Sequence, residues 1–174
     1  MILETERLYL RELEPSDYPA LCKILQDEEV MYAYNGAFSD AEAREWLERQ
    51  LSRYRQYGNF GLWAAVRKET GEMIGQCGLT MQKWKDRELL EIGYLFRKDY
   101  WHHGYATEAA RACKKYAFEV LKAEEVCSII RDTNKASQNV AIRNGMSVKD
   151  QWVKYYRGVV MPHNRYVAVR EPEI

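Results

Sequence analysis

The sequence predicts an α+β fold. It should be a single domain over residues 1–174, with a mixed, mostly antiparallel sheet, a central parallel β-α-β crossover and helices on both sheet faces. Three observations carry this. Short segments of strand character, bounded by turn residues, recur along the chain. Between Gly104 and Leu121 the period changes to a helical one, with Ala106, Ala109, Ala110, Cys113, Ala117, Val120 and Leu121 on one stripe. That helix lies between two strand segments, Leu89–Phe96 and Val126–Arg131, so the three form a crossover that should be right-handed and parallel. A chain of 174 residues fits one domain.

Taken in order, Leu8 and Leu10, with Leu13 as an extension, alternate with polar residues and predict a first strand. Pro15-Ser16-Asp17 opens a helix to about Leu25. Asp27 to Tyr34 reads as a short helical turn. Ser39-Asp40-Ala41-Glu42 has the capping-box pattern, so a helix should run over 40–57, with Trp46, Leu47, Leu51 and Tyr54 inward and Gly58 ending it. Leu62–Val66 is a strand, Glu69–Glu72 a turn, and Met73–Gln82 the returning strand. Trp84–Arg87 is a polar connection to the Leu89–Phe96 strand. After the long helix and the Val126–Arg131 strand, Lys135–Asn144 is a short helix stopped by Gly145. Val148–Tyr155 and Asn164–Arg170 close the sheet.

Composition excludes several classes. Lys and Arg total 26, as do Asp and Glu, so no strong field recruits nucleic acid or an anionic membrane. The chain opens Met1-Ile2-Leu3-Glu4 without a signal-peptide pattern and has no apolar run near 18 residues. The expectation is a soluble, cytoplasmic protein. Cys22, Cys77, Cys113 and Cys127 are scattered and read as reduced thiols. His102 and His103 are adjacent, so their side chains diverge, and His163 is distant, so no metal site is expected.

The informative stretch runs from Glu91-Ile92-Gly93-Tyr94-Leu95-Phe96 to Trp101-His102-His103-Gly104-Tyr105-Ala106-Thr107-Glu108-Ala109. A strand enters a turn, and the turn opens a long helix. Gly104 and Ala106 let main-chain N–H groups approach a ligand. The first N–H groups of a helix have no internal partner and carry partial positive charge, which makes a phosphate site. Thr107 adds a hydroxyl donor. A Walker loop is a poorer fit because Gly104 is followed by Tyr105, and the three glycines of a dinucleotide fingerprint are absent.

This stretch resembles the acyl-CoA-binding motif of the GNAT N-acetyltransferases, and is most similar to the RimJ/RimL branch of ribosomal-protein N-terminal acetyltransferases. That branch has a strand with Glu-Ile-Gly-Tyr, then Tyr-Trp-Gly-x-Gly-Tyr-Ala-Thr-Glu-Ala. Asn134-Lys135-Ala136-Ser137-Gln138-Asn139-Val140 with Gly145-Met146 matches a second branch pattern, and Glu4–Arg11 is similar to its opening. His102 replaces a glycine and His103 a Lys or Gln; Ile142, Arg143 and Met146 replace Glu, Lys and Phe. If residue 102 needs positive φ, His is among the more tolerant side chains.

The resemblance implies acetyl-CoA as co-substrate. Its pantetheine arm would enter where the Leu89–Phe96 strand splays from the next parallel strand, pairing with the main chain of Tyr94, Leu95 and Phe96. The pyrophosphate would lie on His102, His103, Gly104, Tyr105, Ala106 and Thr107, and Asn134 would hydrogen-bond the arm. Attack needs a neutral amine. Supplying one at pH 7 costs about 1 kcal/mol for an α-amine and about 5 kcal/mol for a lysine. Glu91, two residues before Gly93 on the strand presenting the thioester, is the candidate base; otherwise it is a solvated strand carboxylate. Ser137 matches the branch position beside the sulfur as proton donor, or else makes a helix-start hydrogen bond. Main-chain N–H groups near Tyr94 and Leu95 are candidates for the oxyanion.

Cys113 and Cys127 fall at inward positions, so direct attack in a ternary complex is favoured over an acetyl-cysteine route. Tyr32, Tyr34, Asn35 and Trp84 are the candidate acceptor-side residues, with core packing as the alternative reading of the wider aromatic set. The acceptor is an amine: a protein N-terminus or a small molecule. A non-catalytic acyl-CoA-binding module is the alternative function, and homodimerisation is left open.

Overall fold

The computed structural model describes residues 1–58 and 60–172. Eight strands form one sheet: β1 (Leu3–Glu4), β2 (Leu8–Arg11), β3 (Leu62–Arg67), β4 (Met73–Trp84), β5 (Arg87–Phe96), β6 (Glu125–Arg131), β7 (Ser147–Tyr156) and β8 (Val159–Val169). Their order across the sheet is β1-β2-β3-β4-β5-β6-β8-β7. Every neighbouring pair is antiparallel except β5–β6, which is parallel and registered only at Glu91↔Cys127. The helices are α1 (Tyr18–Leu25), α2 (Asp40–Tyr57), α3 (Tyr105–Glu119) and α4 (Lys135–Arg143). This is the expected α+β architecture, and α3 is the crossover between the two parallel strands.

Successive strand residues point to opposite faces, and β4 shows which helix lies on each. Gln76 accepts a hydrogen bond from the Trp46 indole of α2 at 2.9 Å. The next residue, Cys77, brings its Sγ to 3.6 Å from Cys113 of α3. Helices therefore cover both faces. The α2 face of β5 carries Leu89, Glu91, Gly93 and Leu95, because Leu95 pairs with Gln76 and Glu91 with Thr80. The alanine-rich stripe of α3 is buried at Ala109, Ala110, Cys113 and Ala117, and small side chains there let the helix sit close on the sheet.

The cap of α2 forms as its sequence dictates. Glu42 N–H donates to Ser39 Oγ at 3.2 Å, and Ser39 N–H donates to Glu42 Oε1 at 3.1 Å. Ser39→Ala should lower stability by about 1 kcal/mol, and thermal unfolding checks it as a melting point about 2–4 °C lower.

Local differences from the sequence reading have simple causes. Leu13 is buried but lies outside β2, and the two-residue β1 carries too little pattern to be read from sequence. Both long hairpins are tighter than their composition suggests. Lys85 (φ 56°) allows β4 and β5 to turn within two residues. Arg157 (φ 50°) and Gly158 (φ 74°) turn β7 into β8, which starts at Val159 rather than Asn164. Pro162 is tolerated within β8 because it lies one residue beyond the last β6–β8 pair, Arg131↔His163, where no ladder donor is needed on that side. No described helix is long and apolar enough to cross a membrane.

Candidate active site

Beyond Glu91↔Cys127 the strands β5 and β6 separate, and side chains bridge the gap. The Ile129 N–H donates to Glu91 Oε2 at 2.7 Å, and Ser128 Oγ donates to the Ile92 carbonyl at 2.9 Å. Main-chain groups that a continuous ladder would consume are instead held by two side chains at the apex of the split. A cavity of about 1050 Å³ opens from this split, lined by Glu91–Phe96 of β5 and Ser128–Arg131 of β6. It extends to the start of α3 on one side and to β7, β8 and the 3₁₀ turn Val30–Tyr34 on the other.

At the α3 end, Gly104 is the N-cap residue with φ 80°, and no side chain caps the helix. Gly104, Tyr105, Ala106 and Thr107 line the cavity, so the helix presents uncapped N–H groups to it. His102 also lines the cavity and has φ 64°, the left-handed conformation that a glycine would fill without cost. Arg7 fixes this corner. Its Nε and main-chain N–H donate to the two oxygens of Glu108 at 2.9 Å each, Nη1 donates to the His103 carbonyl at 2.8 Å, and the guanidinium lies 4.2 Å from the Tyr105 ring centroid.

Glu91 dominates the electrostatics. Burial raises its carboxyl pKa to about 7, although the Ile129 N–H and the charges of Lys154 and Arg53 favour the ionised form. Burial holds the Tyr94 hydroxyl strongly protonated. That hydroxyl donates to the Ser137 carbonyl at 2.7 Å, on the α3 side of β5. Burial likewise pushes the thiols of Cys77 and Cys127 up, so neither is an activated nucleophile.

Most of the sequence-predicted residues meet here. Glu91, Tyr94, Leu95, Phe96, Asn134, Ser137, Tyr32 and Tyr34 all line the one cavity. Asn134 also caps α4, where its Oδ1 accepts the Ser137 N–H at 3.3 Å. Ser137 thus makes the helix-start hydrogen bond through its main chain. Tyr34 meets Phe38, Trp46 and Tyr156 edge to face, with ring centroids 5.6–6.1 Å apart.

Three residues are placed elsewhere. Trp84 is fully buried with Leu89, Cys127 and Val167, because Trp152 of β7 packs edge-on against it at 5.6 Å. Asn35 is outside the lining and ends the 3₁₀ turn with φ 61°. His103 is outside it too, its carbonyl taken by Arg7 and its ring 6.2 Å from that of Tyr105. Conversely, sequence reading missed the Arg7–Glu108 pair, the Tyr94 hydroxyl, Ser128, Lys154 and His163. Only the Arg7–Glu108 pair had a local signal, since Arg7 lies in the matched opening, Glu4–Arg11, and Glu108 in the helix-start motif.

The family profile described as an acetyltransferase (GNAT) domain matches residues 7–147. The uncharacterized protein YkkB of Bacillus subtilis (strain 168) is 36% identical over 170 residues, which cover 97% of this chain and 94% of that protein. Among solved structures, a GNAT-family acetyltransferase from Bacillus anthracis superposes with a TM-score of 0.82 at 22% identity, covering 97% of this chain and 98% of the other. RimL, a ribosomal L7/L12 alpha-N-protein acetyltransferase solved in complex with coenzyme A, gives a TM-score of 0.78 at 19% identity, with 97% of each chain covered.

Proposed function

This chain belongs to the GNAT acetyltransferase family and is an acetyl-CoA-dependent enzyme, and from that premise we propose that it acetylates a primary amine by direct attack in a ternary complex. The observation that carries the reading is the half-buried Glu91 carboxylate at the apex of the β5–β6 split, oriented by the Ile129 N–H. A carboxylate with a pKa near 7 is matched to deprotonating an ammonium at neutral pH.

The residues fit coenzyme A in three respects. The uncapped start of α3 suits the diphosphate. The split lets the arm lie between two strands whose facing main-chain groups are not laddered beyond Glu91↔Cys127. The elongated cavity joins those two places to Glu91.

In the reaction the ammonium first gives one proton to Glu91. The free amine attacks the thioester carbonyl, the C–N bond forms and the C–S bond breaks. The second nitrogen proton leaves as the amide forms. One proton ends on the coenzyme A sulfur and the other in solvent. Ser137 lines the cavity, and its hydroxyl is the donor to the departing sulfur, while the Tyr94 hydroxyl gives its one proton to the Ser137 carbonyl and holds that residue in place. A thiol of ordinary pKa leaves readily, so the donor lowers the barrier by only about 2 kcal/mol at pH 7. Deeply buried, high-pKa cysteines favour this route over an acetyl-cysteine intermediate.

The acceptor is a protein N-terminus or a small amine. Thiol release from acetyl-CoA with a panel of peptides and small amines tests the reading. Release with at least one amine supports it, and acetyl-CoA binding without release from any amine defeats it.

A further inference from the structure

The acceptor end of the cavity has an unusual charge inventory. Strand alternation places Glu91 of β5, Arg131 of β6, His163 of β8 and Lys154 of β7 on the same face of the sheet. All four line the cavity. Among the described residues the other acid in the lining is Glu29, and it is already paired with Lys98. Lys154 forms no ion pair among the described residues. Its ammonium rests 6.0 Å from the ring centroids of both Trp84 and Trp152. Arg131 donates to the Tyr32 carbonyl at 3.2 Å and lies 4.9 Å from that ring centroid, while its buried Nε has no acceptor. His163 is kept neutral by burial and by the charges of Lys154 and Arg131.

This end of the cavity is bounded by the Val30–Tyr34 turn and the end of β7. Arg157 of the β7–β8 turn donates to the Tyr34 and Gly36 carbonyls at 3.3 Å each, and Tyr156 meets Tyr34 at 6.0 Å. Tyr32 and Thr133 close the other side by a hydroxyl–hydroxyl contact.

We propose that the acceptor is a small amine with an anionic group close to the reacting nitrogen, as in a free α-amino acid, and that Lys154 holds that anion while Glu91 takes the ammonium proton. This rests on the role of Glu91 set out above. The chemistry is complementary at both ends: a zwitterion brings one cation to the single unpaired acid and one anion to the unpaired cations. A polyamine would place a second positive charge against Lys154 and Arg131, a like-charge contact in a poorly solvated site.

The test uses the full chain, acetyl-CoA, and a panel of amino acids, each as the free acid and as its carboxamide, with spermidine and short peptides of neutral or acidic N-terminal sequence. Thiol release gives kcat/KM for each. The readout is the acid-to-carboxamide ratio in the wild type divided by that in Lys154→Met. The two amines' different basicities cancel in this quotient, as does any shared effect on Glu91. A quotient of at least tenfold is expected, with Lys154→Arg keeping most of the wild-type ratio. A quotient near one, or spermidine or a peptide outpacing every free amino acid, would overturn the proposal while leaving the Glu91 chemistry intact. Failure of every amine to release thiol would overturn both.

Discussion

Glu91→Gln should lower kcat about 10²- to 10³-fold and leave KM for acetyl-CoA near its wild-type value. The amide keeps the size of the carboxylate and can still accept the Ile129 N–H, so the split between β5 and β6 should persist. What is lost is the ability to take a proton. In the wild type kcat/KM should rise with pH through an acid limb near 7, because Glu91 must ionise before it can act. The variant should lack that limb. An unchanged limb in the variant would assign it to another group.

The same residue gives a signed stability expectation. Unfolded, Glu91 ionises near 4.5; folded, near 7. The cost of burying its charge is absent below about pH 4.5, grows between the two values and is complete above pH 7. The difference corresponds to about 3 kcal/mol as an upper figure. Glu91→Gln should therefore melt like the wild type at pH 4.5 and above it at pH 8. A catalytic loss joined to a stability gain is the mark of a carboxylate held in place for chemistry. A variant less stable than the wild type at pH 8 would show that the charge serves the fold.

Gly78→Ala is expected to have the largest effect on folding. Gly78 of β4 pairs with Leu62 of β3 and Gly93 of β5. A Cβ at residue 78 would lie 2.0 Å from the Gly61 carbonyl oxygen and 2.8 Å from the Leu62 Cα. Both are backbone atoms, and the same carbonyl accepts the Leu79 N–H at 2.9 Å, so no side-chain rotation relieves the clash. The β3–β4 pairing must move. The loss should be about 3 kcal/mol or more, seen as a melting point lower by on the order of 10 °C. Gly93 provides the contrast. A Cβ there would meet only Leu62 Cδ1, at 3.8 Å, so Gly93→Ala should fold normally. Its methyl would stand on the cavity face two residues from Glu91, and turnover should suffer instead. Equal melting points for the two variants would refute this account of the glycine pair.

Much of the cavity lining was legible in sequence because it sits in short, continuous runs. Glu91–Phe96 and Gly104–Thr107 are each a local object: a strand end and a helix start whose geometry follows from their own residues. The positive φ at His102 was likewise legible as a local possibility. Placing Trp84 at the acceptor was not sound from sequence alone. Its exposure depends on Trp152, 68 positions later, folding over it.

By itself, then, the sequence determined most of the element order, the crossover and the two runs, Glu91–Phe96 and Gly104–Thr107, that line the cavity. These follow from periodicity, capping and turn chemistry acting over a few residues. Only the tertiary structure decided which groups face Glu91 across the sheet. Tyr32, Arg131, Lys154 and His163 come from four separate segments, and strand register and the tight Arg157-Gly158 turn bring them to one cavity. Side-chain facing in a sheet alternates with every residue, so a single-residue change in register would have turned Lys154 away from the cavity. That register is set by long-range pairing, which no local window of sequence contains.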